Sequence, residues 1–349
     1  MTVLAPETGS TDLVQRFAAD PDNLLIASGD TLAAAGLLGL LRVGRAVVVD
    51  PDVTSRTPGC ECCQVRVDLI DAVRHAVVRR SPARRVVVVV DRAVSSGCDV
   101  STGEDPASDV VTAVHTLQAD SEVDRLAHLD GVVVEIDAAS VSTRMASGFA
   151  LWSPQVEAAL AIADRIALTG SHLLTPSASV SLTAALDDVN RIGRVVGESA
   201  SGIEGLVGLD AWREAPLAID ALGVGDAATS RSVSETPTSS RNVAASIETV
   251  VLSRVGILDP DATNAWLDRV IAESPGGLLR LQGALRVSTH DARVCIWGSR
   301  SAVRSQPETP RSGPFGLTRS ECESFVVVVG HNLDRVALSA GFESIEVAS

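Results

Sequence analysis

Short apolar runs alternate with helix-length segments along the first two thirds of the chain. These runs predict strands at Asn23–Ala27, Arg45–Asp50, Arg84–Asp91, Asp130–Asp137, Arg165–Thr169 and Arg194–Gly197. A run such as RRVVVVVD, apolar on both faces, is typical of a sheet that helices cover on both sides. Strands that alternate with helices are joined by right-handed crossovers and form a mainly parallel sheet. We therefore predict an α/β domain.

The segments between these strands carry the three- and four-residue apolar spacing of amphipathic helices. After a turn at residues 28–31, a helix is predicted over Leu32–Leu41, and a second follows from about Val65 to Arg80. Further helices are predicted at Ala107–Leu126, Gln155–Ala163 and Ser179–Asn190. Ligands of such sheets bind at the carboxyl ends of the strands, so we expect a site in the loops that follow them.

Between residues 223 and 246 the apolar pattern stops and Ser, Thr and Ala dominate, which indicates a linker. The pattern then resumes in a different order. Strands are predicted at Glu248–Ser253, Leu278–Val287, Arg293–Trp297 and Ser324–Gly330, with helices over Asp259–Ser274 and from Leu333, and a loop over Ser299–Arg319. The sequence thus predicts a first domain over 1–222, a linker over 223–246 and a small α+β domain over 247–349.

The charge composition of the chain limits the kinds of molecule that it can bind. The chain has 349 residues and a formal net charge of −15 at pH 7, and its sequence contains no lysine, so that all 29 basic residues are arginine. Binding to nucleic acid depends on neutralising phosphates with cationic side chains. The net negative charge therefore argues against nucleic acid as a ligand and against binding to anionic membranes. No secretory signal is recognised in the first residues, and the longest apolar run is too short to cross a bilayer. We expect a cytoplasmic protein.

Candidate chemistry is concentrated in one cluster of cysteines. Cys60, Cys62 and Cys63 form a C-x-C-C sequence directly ahead of the helix that begins near Val65. At a helix N-terminus the unpaired N–H groups favour thiolate over thiol, and thiolate is the form that binds metal or attacks a disulfide. Three thiolates leave one position of a tetrahedral zinc site open for Glu61, Asp68, a distant histidine or water. The cluster predicts a site for zinc or another soft divalent metal.

Two other interpretations of the cluster stay open at this point. Two of the three cysteines could form a reversible disulfide, since clustered cysteines in a reducing compartment are either metal ligands or reactive thiols. The cysteines could also lie in a loop without any ligand. The sequence itself does not decide among metal, redox and vestigial roles.

Several motifs give the chain a family resemblance. It resembles the CobW-like group of P-loop GTPases, which act as metal chaperones or metal-insertion factors. The matching segments are G-C-x-C-C-x-x-R-x-D-L at Gly59–Leu69, DGVV-x-x-I-D-A at Asp130–Ala138, A-D-R-I-x-L-T at Ala163–Thr169, L-D-P to A-W-L-D-R-V at Leu258–Val270, PGGLLRLQG at Pro275–Gly283 and FVVVVGHNLD at Phe325–Asp334. The resemblance implies a P-loop GTPase-like α/β domain followed by a CobW C-terminal-like domain.

The nucleotide motifs of that family are degraded in this chain. Laid on Gly29, the phosphate-binding G-x-x-G-x-G-K-[ST] loop would have Ala35 in place of its lysine and Gly36 in place of its magnesium-binding hydroxyl residue. The guanine-specific [NT]-K-x-D motif falls on residues 169–172, where His172 replaces the aspartate. The E-T-[ST]-G stretch falls on residues 91–94 and keeps only the carboxylate of Asp91. We therefore expect no catalytic residues, no GTP hydrolysis and no bound GTP or magnesium.

The resemblance and these departures together imply a metal-binding protein of the metallochaperone type that is uncoupled from GTP. Its expected partner is a client metalloprotein or an intact GTPase paralogue. The alternative is a non-enzymatic regulatory or interaction subunit, a pseudo-GTPase whose cysteines are vestigial or redox-active. A third possibility is a GTPase whose motifs lie in unrecognised positions.

Overall fold

The computed structural model describes two compact units, Met1–Asp210 and Ala211–Ser349. The described residues are 1–6, 11–27, 29–43, 45–48, 61–78, 85–90, 109–147, 151–190, 192–197, 203, 205–209, 211, 247–274, 277–290, 292–299, 302–308 and 323–345. The predicted linker, residues 223–246, lies outside them. No helix in these described ranges is long and apolar enough to cross a membrane.

The first unit is built on a seven-stranded parallel sheet. Its strands are β1 (Thr2–Ala5), β2 (Asn23–Ala27), β3 (Ala46–Val48), β4 (Arg85–Val89), β5 (Gly131–Asp137), β6 (Arg165–Thr169) and β7 (Arg194–Gly197). Their order across the sheet is β3-β2-β4-β1-β5-β6-β7. The α/β fold with a parallel sheet, predicted from the alternation of the apolar runs, is confirmed.

Strand β1 was not predicted, although it is central to the sheet. It pairs with β4 on one side and with β5 on the other, with Val3 opposite both Val88 and Val132. All four of its residues are buried. The burial of this strand depends on its pairing with two strands that are distant in the sequence, so the local hydrophobic pattern did not reveal it.

Helices lie between consecutive strands of this sheet. They are α1 (Asp12–Ala19), α2 (Gly29–Ala34), α3 (Gly39–Arg42), α4 (Glu61–Val78), α5 (Asp109–Ala119), α6 (Ser121–Leu126), α7 (Ala138–Ala146), α8 (Pro154–Ile162) and α9 (Pro176–Val189), with a 3₁₀ turn at Ser171–Leu173. The single helix predicted over Leu32–Leu41 is wrong. Two short helices replace it, because the chain turns at Gly36 with a φ of 69°.

The single helix predicted over Ala107–Leu126 is also divided. Asp120 has an extended backbone and ends the regular helix, and its side chain caps α6 by accepting hydrogen bonds from the N–H groups of Glu122 and Val123. Aspartate is among the residues that favour such a capping position. The cap therefore starts a second helix at a point where the apolar pattern of the sequence continues without a break, which is why the sequence predicted a single helix.

One apolar core covers the face of the sheet on which α1 packs. It contains Leu13, Val14, Phe17 and Ala18 from α1 together with side chains of six strands: Leu4, Leu25, Ala27, Ala46, Val87, Val89, Val133 and Ala167. Leu32 and Ala35, together with Ile203 and Leu206 from the segment that follows β7, also belong to it. Burying this many aliphatic side chains is the main source of stability for a fold of this type.

The second unit is an antiparallel sheet with two helices on one face. Its elements are β8 (Ile247–Val255), α10 (Pro260–Glu273), β9 (Leu278–Leu285), β10 (Val294–Ser299), β11 (Ala302–Pro307), β12 (Glu323–His331) and α11 (Arg335–Glu343). The strand order is β11-β10-β9-β12-β8. The predicted loop over Ser299–Arg319 is wrong in its first part, because residues 302–307 pair with β10.

A second core joins these helices to the sheet. Trp266 of α10 and Phe342 of α11 pack in a tilted arrangement, with ring centroids 5.0 Å apart and an angle of 52° between the rings. They belong to the same core as Leu281, Ile296 and Val326 of the central strands. Gly283 of β9 lies where the strands approach closely, and a Cβ atom at this position would overlap the carbonyl oxygen of Phe325. The small α+β architecture predicted for this region is confirmed.

Candidate functional site

The order of the strands in the first sheet makes the carboxyl end of β1 the candidate position for a ligand. The connection after β1 leads to β2 on one side, whereas the connection after β5 leads to β6 on the other side. Adjacent strands whose connections diverge in this way leave a crevice at their carboxyl ends, and ligands of open α/β sheets bind there. In P-loop proteins a phosphate-binding loop joins such a strand to the N-terminus of the next helix.

This position corrects the sequence-based placement of the phosphate-binding loop. Gly29 follows β2, and β2 is separated from the central strand β1 by β4. The placement of the motif on Gly29, Ala35 and Gly36 is therefore wrong. It was wrong because Asn23–Ala27 was taken as the first strand, whereas the first strand is Thr2–Ala5.

The residues that follow β1 read Pro-Glu-Thr-Gly-Ser-Thr from Pro6 to Thr11. Gly9 and Thr11 match the glycine and the hydroxyl residue of a G-K-[ST] sequence, and Ser10 stands in place of the lysine. Residues 7–10 lie outside the described part of the chain. Thr11 is the N-cap of α1, and its side chain makes no capping hydrogen bond there. A hydroxyl residue is thus retained where the sequence analysis expected none.

The carboxyl ends of β5 and β6 meet beside this position, because Asp137 pairs with Thr169 across the two strands. The carboxylate of Asp137 caps α7 by accepting a hydrogen bond from the N–H of Ala139 at 3.1 Å. The hydroxyl of Thr169 donates to the carbonyl of Ile136 at 3.3 Å. Gly170 then turns the chain with a φ of 64°, and a Cβ atom there would lie 3.2 Å from Oδ1 of Asp137.

His172, the residue aligned with the guanine-binding aspartate, lies in the 3₁₀ turn after Gly170 and is exposed. An imidazole cannot supply the paired carboxylate oxygens that such an aspartate offers to a base. Residues 169–172 thus lie at the end of β6, where the guanine-binding motif of the family would lie. They carry an imidazole where that motif has a carboxylate.

The cysteine cluster lies at the start of α4. Cys62 and Cys63 are the second and third residues of this helix, so their backbone N–H groups are among the first four, which have no partner within the helix. Cys60 precedes the helix and lies outside the described residues. The sequence analysis placed the cysteines in a loop ahead of the helix. For Cys62 and Cys63 this is wrong, because the helix begins at Glu61.

The C-terminal half of α4 is packed into the interior of the first unit. Leu69, Ala72, Val73 and Ala76 recur at helical spacing and are all buried. The same half carries Arg74, whose Nη2 atom donates a hydrogen bond to Oδ2 of Asp120 at 2.8 Å. Its Nε atom lies 3.0 Å from Oε2 of Glu122 without hydrogen-bond alignment. The helix that begins with the cysteines is thereby tied to the N-terminus of α6.

This ion pair alters the titration of Asp120. Burial by itself would raise the pKa of this carboxyl, but the hydrogen bond from Val123 N–H, the hydrogen bond and the charge of Arg74, and the N–H of Glu122 together lower the pKa below its ordinary value. The carboxylate is thus ionised at neutral pH, where it can both cap α6 and bind Arg74. Among the described residues, no group of three or more His, Cys, Asp or Glu side chains is arranged to hold a metal ion.

Comparison with known proteins identifies the second unit. Residues 247–346 match the model of the cobalamin synthesis protein cobW C-terminal domain. The second unit is thus similar to this family of domains. The match bears out the family resemblance over residues 247–346. No curated protein sequence matches the chain.

Solved structures extend the likeness to the whole fold. The Zn(II)-bound YjiA GTPase from E. coli matches with a TM-score of 0.57 and 17% identity, covering 99% of this chain and 98% of that chain. A Zn(II)-bound triple mutant of YjiA, in which one glutamate and two adjacent cysteines are replaced by alanine, matches with a TM-score of 0.60 and 16% identity, covering 99% of both chains. The fold predicted for the first domain, a mainly parallel sheet of the P-loop GTPase type with helices on both faces, is confirmed.

Sequence reasoning missed the segment between β1 and α1. The signal that could have found it is local: TVLA is followed by T-G-S-T and then by DLVQRFAA, whose apolar residues recur at helical spacing. A strand, a glycine with hydroxyl residues and an amphipathic helix in that order are the context of a phosphate-binding loop. The roles assigned to Cys60, Cys62 and Cys63 stay predictions.

Proposed function

We propose that this chain is a CobW-type metal-binding protein that carries zinc, or another soft divalent ion, on Cys60, Cys62 and Cys63. The observation that carries this proposal is the placement of Cys62 and Cys63 in the first turn of α4. The partial positive charge at this end of the helix favours thiolates, which are the ligands that zinc prefers. The Zn(II)-bound state of the structurally similar YjiA supports the choice of metal.

The spacing of the cysteines favours shared binding of one ion. Cys62 and Cys63 are adjacent in the first turn of α4, and Cys60 lies two residues before Cys62 in the sequence, so that all three thiols fall within four consecutive residues. Three thiolates would leave the fourth position of a tetrahedral site open to a partner. An open position is what a carrier needs, because transfer proceeds by exchange of ligands with the client protein.

The residues present do not fit a GTPase. The sequence has no lysine, so none can reach the β- and γ-phosphates of a nucleotide from any loop. At the topologically correct position, Ser10 stands where the lysine belongs, although Gly9 and Thr11 are retained. We therefore propose that metal binding is independent of GTP and that the partner is a client metalloprotein that accepts the ion.

A titration with Co²⁺ of the reduced, purified protein tests this proposal. We expect thiolate-to-cobalt absorption with one ion per chain in the wild type, and its loss when Cys60, Cys62 and Cys63 are all replaced by serine. The matched control replaces Cys98 and Cys322, two cysteines outside the cluster, and should bind like the wild type. Equal binding by the wild type and the triple variant would refute the proposed site, as would equal losses in the triple variant and the control.

A further inference from the structure

The second sheet ends in a long edge strand, β8 (Ile247–Val255). It pairs with β12 along its whole length, and among the described strands none pairs with its other side. Ser253 and Val255 are exposed, Val255 to 71%. The outward N–H and C=O groups of such a strand can form a ladder with a further strand, and many proteins shorten or cover an edge of this kind. The nine residues of β8 are therefore a candidate surface for strand pairing.

The sequence of β8, IETVVLSRV, is chemically similar to itself when it is read backwards. If two copies of the strand lie antiparallel about a two-fold axis at Val251, each residue faces the one that is equally far from Val251 on the other copy. The facing pairs are then Ile247 with Val255, Glu248 with Arg254, Thr249 with Ser253, Val250 with Leu252, and Val251 with itself. Apolar, hydroxyl and opposite-charge pairs are the kinds that stabilise neighbouring strands. Every position of β8 is thus matched in this one arrangement.

The two charged residues of β8 select this register. With the axis at Val251, Glu248 of each copy faces Arg254 of the other, which gives two symmetric ion pairs. With the axis one residue further along, at Leu252, Arg254 would face Val250 instead. A parallel arrangement in register would place Glu248 beside Glu248, and like charges that face each other directly are destabilising. The charge pattern therefore favours the antiparallel pair centred on Val251.

The arginine of this pair is already held by its own chain. Nη1 of Arg254 donates hydrogen bonds to the carbonyl oxygens of Phe342, at 3.2 Å, and of Glu343 at the C-terminus of α11. An ordered side chain loses less conformational entropy when it meets a carboxylate than a freely rotating one does. Exposed ion pairs contribute little affinity, so their effect here is on register and specificity.

We propose that β8 is a docking surface for a second copy of this chain, which pairs with it antiparallel about a two-fold axis at Val251. A two-fold interface uses the same patch on both copies, and the reversed match of β8 meets this requirement. Main-chain hydrogen bonds supply the affinity and the side-chain pairs fix the register. Two strands of this length form a small interface, so the dimer dissociates on dilution. The proposal goes beyond the proposed function and does not involve the cysteine cluster.

Sedimentation of the full chain over a range of concentrations, with EDTA present, tests the charged pairs. We expect a reversible dimer for the wild type. Glu248→Arg should lower its association constant about tenfold or more, because both pairs then join like charges. Glu273→Arg, the same change at an exposed position on α10, is the matched control and should dimerise like the wild type. An equimolar mixture of Glu248→Arg and Arg254→Glu should regain the dimer, because every facing pair again joins opposite charges.

Crosslinking provides a second test that does not depend on the folding of Arg254→Glu. In the triple serine variant of the cysteine cluster, Val251→Cys places two thiols at the axis, where facing Cα atoms are about 4.5–5.5 Å apart and a disulfide can form. The matched control is Ser253→Cys in the same background, whose two copies would lie four residues apart along the strands, or about 14 Å. Under mild oxidation we expect a covalent dimer from Val251→Cys, and from Ser253→Cys no more than from their parent.

Three results would each overturn the proposal: a wild type that stays monomeric at the highest concentration, a dimer that Glu248→Arg does not weaken, or equal crosslinking of the two cysteine variants. Because EDTA is present and the crosslinking background lacks the clustered cysteines, these results are separate from metal binding. Failure of the dimer would leave the proposed function intact, and failure of metal binding would leave the dimer intact.

Discussion

The contact between Arg74 and the start of α6 allows a quantitative test of how the cysteine helix is held. The perturbation is Arg74→Met, which keeps most of the apolar stem of the side chain and removes its charge. The side chain of Arg74 is 36% exposed, that of Asp120 is 15% exposed and that of Glu122 is 48% exposed. Asp71, at 3.9 Å from Arg74, is 68% exposed. The pair with Asp120 is thus the most protected of the three contacts of Arg74.

We estimate the loss from these exposures. A partly buried, hydrogen-bonded ion pair contributes about 1 kcal/mol, and a more exposed pair such as that with Glu122 contributes about 0.5 kcal/mol or less. Arg74→Met should therefore lower the free energy of unfolding of the first unit by about 1.5 kcal/mol at neutral pH. Amide hydrogen exchange in α4 and α6 should accelerate on the order of tenfold, since about 1.4 kcal/mol corresponds to that factor when exchange follows opening of these helices.

The effect should depend on pH with a defined sign. Because the pKa of Asp120 is lowered in the folded protein, its ionised carboxylate stabilises the fold above the unfolded pKa of about 3.9, and this contribution is lost as the pH falls through the lower, folded pKa. The difference between wild type and Arg74→Met should then shrink below about pH 4. Urea unfolding at neutral and acidic pH measures both quantities.

The matched control is Arg125→Met, which removes the same charge from an exposed position on α6. It should cost less than about 0.5 kcal/mol at either pH. If Arg74→Met costs no more than Arg125→Met at neutral pH, or if its cost does not change on acidification, the assigned ion pair does not hold α4 to α6.

Two further predictions concern the scaffold. Gly283→Ala should destabilise the second unit by about 3 kcal/mol or more, because its Cβ atom would overlap the carbonyl of Phe325. Gly39→Ala, with no atom within 4 Å of the added Cβ, should be neutral or stabilising. Equal melting temperatures of the two variants would contradict this packing. Asn190→Ala should cost about 2–4 kcal/mol in urea unfolding, because the buried amide donates to two backbone carbonyls at 2.6 and 2.7 Å. A cost near zero would show that these bonds contribute nothing net.

The apolar pattern predicted most of the sheet because each long strand carries its own signal. The run RVVVV at Arg85–Val89 and the run GVVVEID at Gly131–Asp137 are buried over most of their length, so their burial and their sequence agree. Strand Thr2–Ala5 has only four residues, and its burial depends on pairing with two strands that are distant in sequence. A tertiary cause of this kind leaves little trace in a local pattern.

The missed strand had a consequence for the candidate site. With Asn23–Ala27 taken as the first strand, the phosphate-binding motif was placed on residues that follow the wrong strand, and the retained Gly9 and Thr11 were not noticed. The absence of lysine did not depend on this placement, because it holds for the whole sequence. The conclusion that no lysine can contact a nucleotide phosphate therefore holds, although the phosphate-binding motif was placed on the wrong residues.

The register of β5 could not be predicted from the sequence. Val134 lies opposite Ala5 and Glu135 lies opposite Ala167, and both pairings join strands that are distant in the chain. The cysteine cluster is the opposite case, since its spacing and its helix were both visible in the sequence.

The central claim is that the cysteines at the start of α4 bind zinc without help from GTP. The most direct measurement is the zinc affinity of the reduced full chain, determined by competition with a chelator of known affinity in the presence and absence of GTP and magnesium. The account predicts one zinc ion per chain and the same Kd in both conditions, with loss of binding in the Cys60, Cys62 and Cys63 triple serine variant. A Kd that changes on the order of tenfold with GTP, equivalent to a coupling of about 1.4 kcal/mol, would contradict it, as would unchanged binding in the triple variant.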